Sequence, residues 1–521
     1  MDMNNVKKQL ALFWPSCLSG ILLALSFPTL DLFPLAWIGL VPFLLSLYEM
    51  KPKQAFHAGL IMGLFYFFGT LYWIYHSINH YGGVSFITSI LLVALLCSYL
   101  SLYTGVFAFL FSITFRNTKL PALLIAPAFW VVLEFLRSYA FTGFPWSSIG
   151  YSQYKFLAII QIADITGVYG VSFLVVSVNG AAADFFLMKK RIKDVPLFPL
   201  SQTTAWASAL ALCLLLSLAY GIFRLGEDRP GSQFKAAIVQ GDIAQDKKWD
   251  PAYEDKVAEI YRDLSLRASS ESPSLIVWPE SSVPFIFGYD KKFTSDLQEL
   301  QGQLGSPLLF GSVLIKEKKK DRVLLSNSAV LLDDDGKVAY TYDKIHMVPF
   351  GEYVPLGKIL FFVNKLVSGI GDYTPGTRYI RAHISSGEFA TLICYEIIFP
   401  GLVRKFYTNG GDFMVNITND AWFGTTSGPY QHFSMAVFRA VENRKPLIRA
   451  ANTGISGFID SNGRVLSETG LFERVVAAGE IKTDTTRSFY SKYGDLFTYV
   501  WIVFSVILLT NIFSKIRKSV M

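Results

Sequence analysis

Thr391-Leu392-Ile393-Cys394-Tyr395-Glu396-Ile397-Ile398-Phe399-Pro400 runs apolar at strand length into its cysteine, and a helix-like pattern follows from Tyr395 to Tyr407. A buried strand followed directly by a helix is the unit of an α/β fold. Working outward, further strands are expected at Lys235–Val239, Leu275–Trp278, Leu308–Ile315, Ser328–Leu332, Lys337–Tyr340, Phe413–Ile417 and Leu447–Ala451, with Ala390–Cys394 the strand of the quoted stretch. Helical patterns lie between them. Asp250-Pro251 reads as an N-cap and first-turn proline, ahead of an apolar face of Val257, Ile260, Tyr261 and Leu264. Leu297, Leu300 and Leu304 mark a second helix, and Phe433, Ala436, Val437, Ala440 and Val441 a third. Residues 226–492 are therefore expected to form one α/β domain.

Outside that domain the chain changes character. Of its 521 residues 52% are hydrophobic and only 17% charged, and the mean hydropathy is +0.38. Soluble domains carry about 25% charged residues, so a large part of this chain is expected in lipid. A membrane-crossing helix needs about 20 mostly apolar residues. Seven such stretches fill residues 1–225, at 9–27, 30–48, 55–76, 84–115, 120–138, 156–188 and 203–223, and an eighth lies at 496–514 within the C-terminal segment 493–521. No small-residue cleavage site follows the first, which reads as a retained anchor rather than a signal peptide.

The net charge of +7 could suggest nucleic acid, but the basic residues cluster at the ends of the apolar stretches. Lys7 and Lys8 precede the first, Lys51 and Lys53 follow the second, and Arg116 and Lys119 follow the fourth. Lys189, Lys190, Arg191 and Lys193 follow the sixth, and Lys515, Arg517 and Lys518 come after the eighth. The Pro28 turn and Asn79–Gly83 carry no Lys or Arg. By the positive-inside rule both termini are expected in the cytoplasm and residues 226–492 on the other side of the membrane, with no nucleic-acid partner. Glu134 and Arg137, three apart in the fifth stretch, are expected to pair, because isolated charges in lipid are costly.

Three features of the α/β domain bear chemistry. Leu275-Ile276-Val277-Trp278-Pro279-Glu280 puts Glu280 at the end of a buried strand, where open α/β sheets place their sites. Buried there, it would suit a general base; alone, it is also what a solvated strand end looks like. Tyr342-Asp343-Lys344-Ile345-His346-Met347-Val348-Pro349-Phe350-Gly351-Glu352-Tyr353-Val354-Pro355 carries Lys344 and Glu352 in a segment with too many prolines for regular structure. Asp343 beside Lys344 could be a plain surface pair. Cys394 is the only cysteine of the domain; Cys17, Cys97 and Cys213 lie in apolar runs, so no disulfide framework is possible. At a helix start its thiolate would be favoured by the amide donors, which suits a covalent nucleophile. No zinc-type spacing or phosphate-binding Gly-rich loop is present, and no metal or cofactor is expected.

Glu280, Lys344 and Cys394 occur in the chain order of the nitrilase superfamily, and residues 235–480 resemble it. The flanking text is more specific than the triad: Trp278-Pro279-Glu280-Ser281, Gly311-Ser312, Asn327-Ser328, and Asn416-Ile417-Thr418-Asn419-Asp420-Ala421-Trp422-Phe423-Gly424. With eight spans around such a domain, the whole chain resembles the apolipoprotein N-acyltransferase family. Phe144-Pro145-Trp146, Val348 to Pro355, Cys394-Tyr395-Glu396 and Arg439 to Gly457 match its wording. The resemblance implies a nitrilase-like αββα sandwich in the periplasm of a bacterial inner-membrane enzyme. It implies catalysis by Glu280, Lys344 and Cys394, support from Glu352, Tyr395 and Glu396, and substrate binding by Trp249 and Trp422. The implied partners of this acyltransferase are a phospholipid acyl donor, an apolipoprotein acceptor and membrane lipid, met by a monomer. Between the Lys344 and Cys394 motifs, Leu360-Phe361-Phe362-Val363 and Leu366-Val367 form either a buried helix or an arm that touches the membrane, to which Phe285, Phe287 and Tyr289 could contribute.

Two rivals stand beside this reading. A membrane-anchored amide hydrolase of the same fold would let water resolve the thioester. A receptor using the sandwich only to bind would need no thiol.

Overall fold

The structure is a computed structural model that describes residues 3–190, 200–318, 322–354 and 372–520. The chain divides into two compact units, one of Met1–Tyr75, Ser85–Gly226 and Tyr493–Met521, the other of His76–Val84 and Glu227–Lys492.

The first unit is helical. Among the described residues, six helices are long and apolar enough to cross a membrane: Pro52–Leu71, Phe86–Asn117, Ala122–Tyr139, Val168–Lys189, Thr204–Gly226 and Leu496–Lys518. They match six of the eight expected stretches. The first stretch is a single helix, Met3–Leu25. The second is broken into a 3-10 turn, Phe33–Trp37, and a seven-residue helix, Val41–Leu47, each entered through a proline, Pro34 or Pro42. The sixth is shorter than expected: small helices at Leu157–Ile160 and Ala163–Thr166 precede Gly167, whose φ of +64° ends them before the long helix. Small residues let helices approach closely. A Cβ on Gly59 or Gly63 of Pro52–Leu71 would run into Thr104 of Phe86–Asn117, and Thr104 Oγ1 donates to the Gly59 carbonyl at 2.9 Å.

Glu134 and Arg137 are both buried, but they form no ion pair among the described residues. Glu134 accepts from Trp130 Nε1 (2.9 Å) and the Ile149 amide (2.8 Å), while Arg137 donates to Ser148 Oγ (3.1 Å). Each finds neutral partners in the turn after the helix. Asp184, which sequence reading passed over, is also buried and accepts from the Ala122 and Leu123 amides and from Tyr48 Oη. It thereby satisfies amides that the start of helix Ala122–Tyr139 leaves open.

The second unit is built on two sheets. Its strands are β1 Gln233–Gln240, β2 Leu275–Val277, β3 Leu308–Lys318, β4 Val323–Leu332, β5 Val338–Asp343, β6 Asp372–Tyr373, β7 Ala382–Ile384, β8 Gly387–Ile393, β9 Phe413–Thr418, β10 Leu447–Ala451, β11 Gly457–Ile459, β12 Val465–Glu468 and β13 Val475–Lys482. One sheet runs β13-β1-β2-β3-β4-β5 with β6 beside β4, the other β12-β11-β10-β9-β8-β7. The centres are parallel: β1 with β2, β2 with β3, β8 with β9 and β9 with β10. Successive side chains of a strand face opposite sides. Ala237 and Val239 of β1 accordingly join Ile276, Leu308, Phe310, Val330 and Leu332 in a core beneath helices Glu254–Ser269 and Lys291–Leu304. Phe234, on the opposite face, packs at a tilt against Phe413 of the other sheet with ring centroids 5.0 Å apart. The second sheet carries helices Pro400–Tyr407 and Gly428–Asn443. The order helix, sheet, sheet, helix is the expected αββα sandwich.

Phe285 and Phe287 belong to the first sheet's helix-side core, so they do not contribute to such an arm; Tyr289 is exposed under the Lys318 ammonium. Their alternation with Pro284, Ile286 and Gly288 is that of a packed edge. The apolar run Leu360 to Val367 lies outside the described residues.

Candidate active site

The parallel centres of both sheets send their carboxyl ends to one place. Glu280 follows β2, Cys394 follows β8 and Asn419 follows β9, and Lys344 joins them from the end of β5, the antiparallel edge strand. Close approach is needed there. A Cβ on Gly311 of β3 would lie 2.6 Å from Glu280 Cα and 2.7 Å from the Pro279 carbonyl oxygen, so only glycine lets the Glu280 turn settle on β3.

The turn after β2 buries the Glu280 carboxylate and surrounds it with donors. Oε1 accepts from Asn327 Nδ2 (2.7 Å) and Lys344 Nζ (3.5 Å), and Oε2 accepts from the Asn419 amide (3.0 Å). Lys344 Nζ also donates to Glu352 Oε1 at 3.0 Å. Glu352 is fixed in turn by Asn327 Nδ2 (2.9 Å) and the Val348 amide (2.7 Å). Burial alone would lower the Lys344 ammonium, but Glu352, Glu280 and Cys394 outweigh it and hold it above the ordinary lysine range. Lys344 is thus a permanent cation between two carboxylates. Asp343 turns the other way, to Ser326, Ser328 and Lys316, and does not pair with Lys344.

Cys394 has a φ of +51° and opens a 3-10 turn, Cys394–Ile398, rather than a continuous helix; the α-helix begins at Pro400. The expected thiolate at a helix start is overturned. Burial pushes the thiol well above its ordinary range and the Glu280 carboxylate adds to this, while Lys344 and a Thr418 hydrogen bond pull it down. One short turn offers too little dipole to offset burial. The resting group is a thiol beside a base.

Glu396 braces the nucleophile turn against the lysine segment. Its Oε2 accepts from the Ile393 amide (2.8 Å), and its Oε1 from Tyr342 Oη (2.7 Å) and the Ile345 amide (2.7 Å). Burial lifts it to about 7 against the pull of those bonds. Tyr395 packs on Phe399 and His346, with ring centroids 5.0 and 5.8 Å away, and His346 has a packing role. Trp422 meets Tyr81 edge-on at 5.1 Å, its carbonyl accepting from Ser77 Oγ, and Trp249 is half-buried beside Lys248. The structure therefore gathers Glu280, Lys344, Glu352 and Cys394, sets Glu396 and Tyr395 behind them, and places Trp422 against the segment His76–Val84. Among the described residues no cluster of His, Cys, Asp or Glu could hold a metal.

Comparison with known proteins fits this arrangement. The profile of the apolipoprotein N-acyltransferase N-terminal domain matches residues 19–181, and that of carbon-nitrogen hydrolases residues 235–490. An apolipoprotein N-acyltransferase of Geobacter metallireducens is 44% identical over 504 residues, covering 96% of this chain and 95% of that protein. The chain belongs to the apolipoprotein N-acyltransferase family. A relative of the same name from Pasteurella multocida is 31% identical, covering 95% of this chain and 94% of its own. Among solved structures, an amidase from Nesterenkonia is 21% identical with a TM-score of 0.37, covering 49% of this chain and 93% of its own. As an apolipoprotein N-acyltransferase family member the chain is an enzyme, an acyltransferase, and its α/β domain is nitrilase-like.

The geometry adds residues that sequence reading quoted without a role, or missed. Asn327 and Asn419 orient Glu280. Behind Cys394 lies a fully buried trio: Arg449 Nη2 donates to Asp420 Oδ2 (2.7 Å), His432 Nδ1 lies 3.0 Å from Asp420 Oδ1, and His432 Nε2 donates to the Cys394 carbonyl (3.3 Å). Lys248 is buried against Glu280, its Nζ donating to the Glu280 carbonyl oxygen.

Proposed function

We propose that this enzyme transfers the sn-1 acyl group of a phospholipid to the α-amine of a diacylglyceryl-cysteine at the N-terminus of an apolipoprotein, through a thioester on Cys394. The observation that carries the reading is a buried Glu280 carboxylate held by the Lys344 cation, at the strand ends where the buried Cys394 also sits. Glu280 takes the Sγ proton as sulfur attacks the ester carbonyl. The oxyanion that develops is stabilised by Lys344 Nζ, a charge already in place. The carbon–oxygen bond breaks, the leaving oxygen takes the proton from Glu280, and lysophospholipid departs. The neutral α-amine then attacks the thioester, Glu280 accepts its proton, and the sulfur leaves and is reprotonated. The order is ping-pong because the acyl group rests on the enzyme between the two steps.

The lipid substrates, the six long apolar helices and the distribution of basic residues support an enzyme of a bacterial inner membrane. In this reading residues 1–225 and 493–521 cross it eight times, and residues 226–492 work in the periplasm. Intact-mass measurement of the purified protein with phospholipid tests the chemistry. The expected result is an acyl-mass adduct on Cys394 that persists until a diacylglyceryl-cysteine peptide arrives. An adduct lost to water at the same rate with or without that peptide would favour the hydrolase.

A further inference from the structure

Lys248 is 2% exposed, and its Nζ donates to the Glu280 carbonyl oxygen at 2.9 Å. That bond uses one of three ammonium protons, and among the described residues the group makes no ion pair. A buried, unpaired ammonium is costly and is kept where it acts on something. The charges around it show on what. Glu280 and Glu352 bring two negative charges and Lys344 one positive, so these three leave the pocket one unit negative. Glu396 is bound by its own donors, and Asp420 is matched by Arg449 and His432. With Lys248, the charges of Glu280, Glu352, Lys344 and Lys248 sum to zero. Without it, a proton leaving Cys394 would move within a net negative, low-dielectric pocket, where the thiolate is disfavoured.

We propose that Lys248 is a positioning residue of this active site: its ammonium fixes the backbone of Glu280 and supplies a positive charge that no carboxylate pairs among the described residues, which permits the Cys394 thiolate to form. Lys344 cannot do this alone, because two carboxylates already share it. Burial pushes the Lys248 ammonium down to about 8, with Glu280 and Cys394 pulling it back up, so it remains charged near neutral pH. The same bond ties the Gly241–Asp250 segment, which carries Trp249, to the base. The inference rests on the reading of Glu280 and Cys394 as base and nucleophile.

The test uses the full-length protein in detergent and reads alkylation of Cys394 by iodoacetamide, followed at its own peptide by mass spectrometry so that Cys17, Cys97 and Cys213 do not interfere. Lys248→Gln keeps a donor for the Glu280 carbonyl but removes the charge; Lys248→Arg keeps the charge. At pH 7.5 Lys248→Gln should alkylate at least about tenfold more slowly, the effect of one pK unit on the thiolate fraction. Lys248→Arg should recover most of that loss, with thermal unfolding of both near wild type. Lys248→Gln alkylating at the wild-type rate, or Arg and Gln losing the rate alike, would overturn the proposal. The underlying reading fails separately: it falls if Cys394→Ala still forms the acyl-enzyme.

Discussion

Because Cys394 rests as a buried thiol, its reactivity depends on the groups that touch Glu280 and Lys344. Cys394→Ser should insert and fold but form no acyl adduct, since a hydroxyl is far less acidic than a thiol and Glu280 could not activate it. Glu280→Gln removes the base and turns an amide NH₂ toward Asn327 Nδ2 or the Asn419 amide, donor against donor. Lys344→Met keeps most of the side-chain volume and removes the cation between Glu280 and Glu352. Each should slow acylation of Cys394 by about 100- to 1,000-fold, the usual cost of losing one preorganised oxyanion donor, while phospholipid binding persists. The double variant should be little worse than either single one, because the residues act as a unit. Glu352→Gln should be milder, since Lys344 retains Glu280. Single-turnover acylation measures all five. If Lys344→Met acylates at the normal rate and fails only in transfer to the amine, its task is holding the lipoprotein substrate.

At the scale of elements, the site depends on strands brought closer than side chains ordinarily allow. Gly311→Ala of β3 would force the Glu280 turn off the sheet, so acylation should fall about as far as in Glu280→Gln, with a smaller loss of thermal stability. The Asp420, His432 and Arg449 trio holds the Cys394 carbonyl from the helix side. Burial would raise Asp420, but Arg449 and His432 outweigh it and bring it down to about 2. A carboxylate lowered in the folded state stabilises that state above its ordinary range, near 3.9, and this support is lost as pH falls through the folded value. Acid unfolding followed in wild type and Asp420→Asn should therefore differ most above pH 4 and converge toward pH 2. Parallel curves would show that the pairing adds nothing. These contacts also mark what could be read from sequence. β1, β3, β9 and β10 are legible because each is dominated by apolar residues at strand length, and the expected bounds of β10, Leu447–Ala451, are those observed. β12 was not, because its four residues are exposed, nor were β6 and β7, which are two or three residues long. Glu280, Lys344 and Cys394 were legible as chemistry at strand ends. Asn327, Asn419 and the Asp420 trio acquire roles only by pairing across residues far apart in the chain. Lys248 reads in sequence as a solvated charge, and only the sandwich buries it.

For the whole molecule, the proposal that the α/β domain works in the periplasm rests on parity. Five of the six long apolar helices precede residue 227 and one follows it. The two remaining expected stretches, the helix Met3–Leu25 and the broken segment Phe33–Leu47, come in succession before Lys51. If both cross, seven spans precede the domain; if neither crosses, five do. Either number is odd, so in the proposed reading the domain lies opposite the N-terminus and the single helix Leu496–Val520 returns the chain to the starting side. The basic residues select which side that is: Lys51, Lys53, Arg116, Lys119, Lys189 and the Lys515 to Lys518 group all flank ends that this parity puts together. Reporter fusions near Lys193 should therefore read cytoplasmic, and fusions near Gly302 periplasmic. A fusion near Lys53 should read cytoplasmic under both counts, so it checks the parity without assuming eight crossings. A cytoplasmic signal at Gly302 would overturn the orientation and, with it, the compartment in which Cys394 meets its lipid substrates. A periplasmic signal at both Lys53 and Gly302 would mean that one of the five long helices between them does not cross.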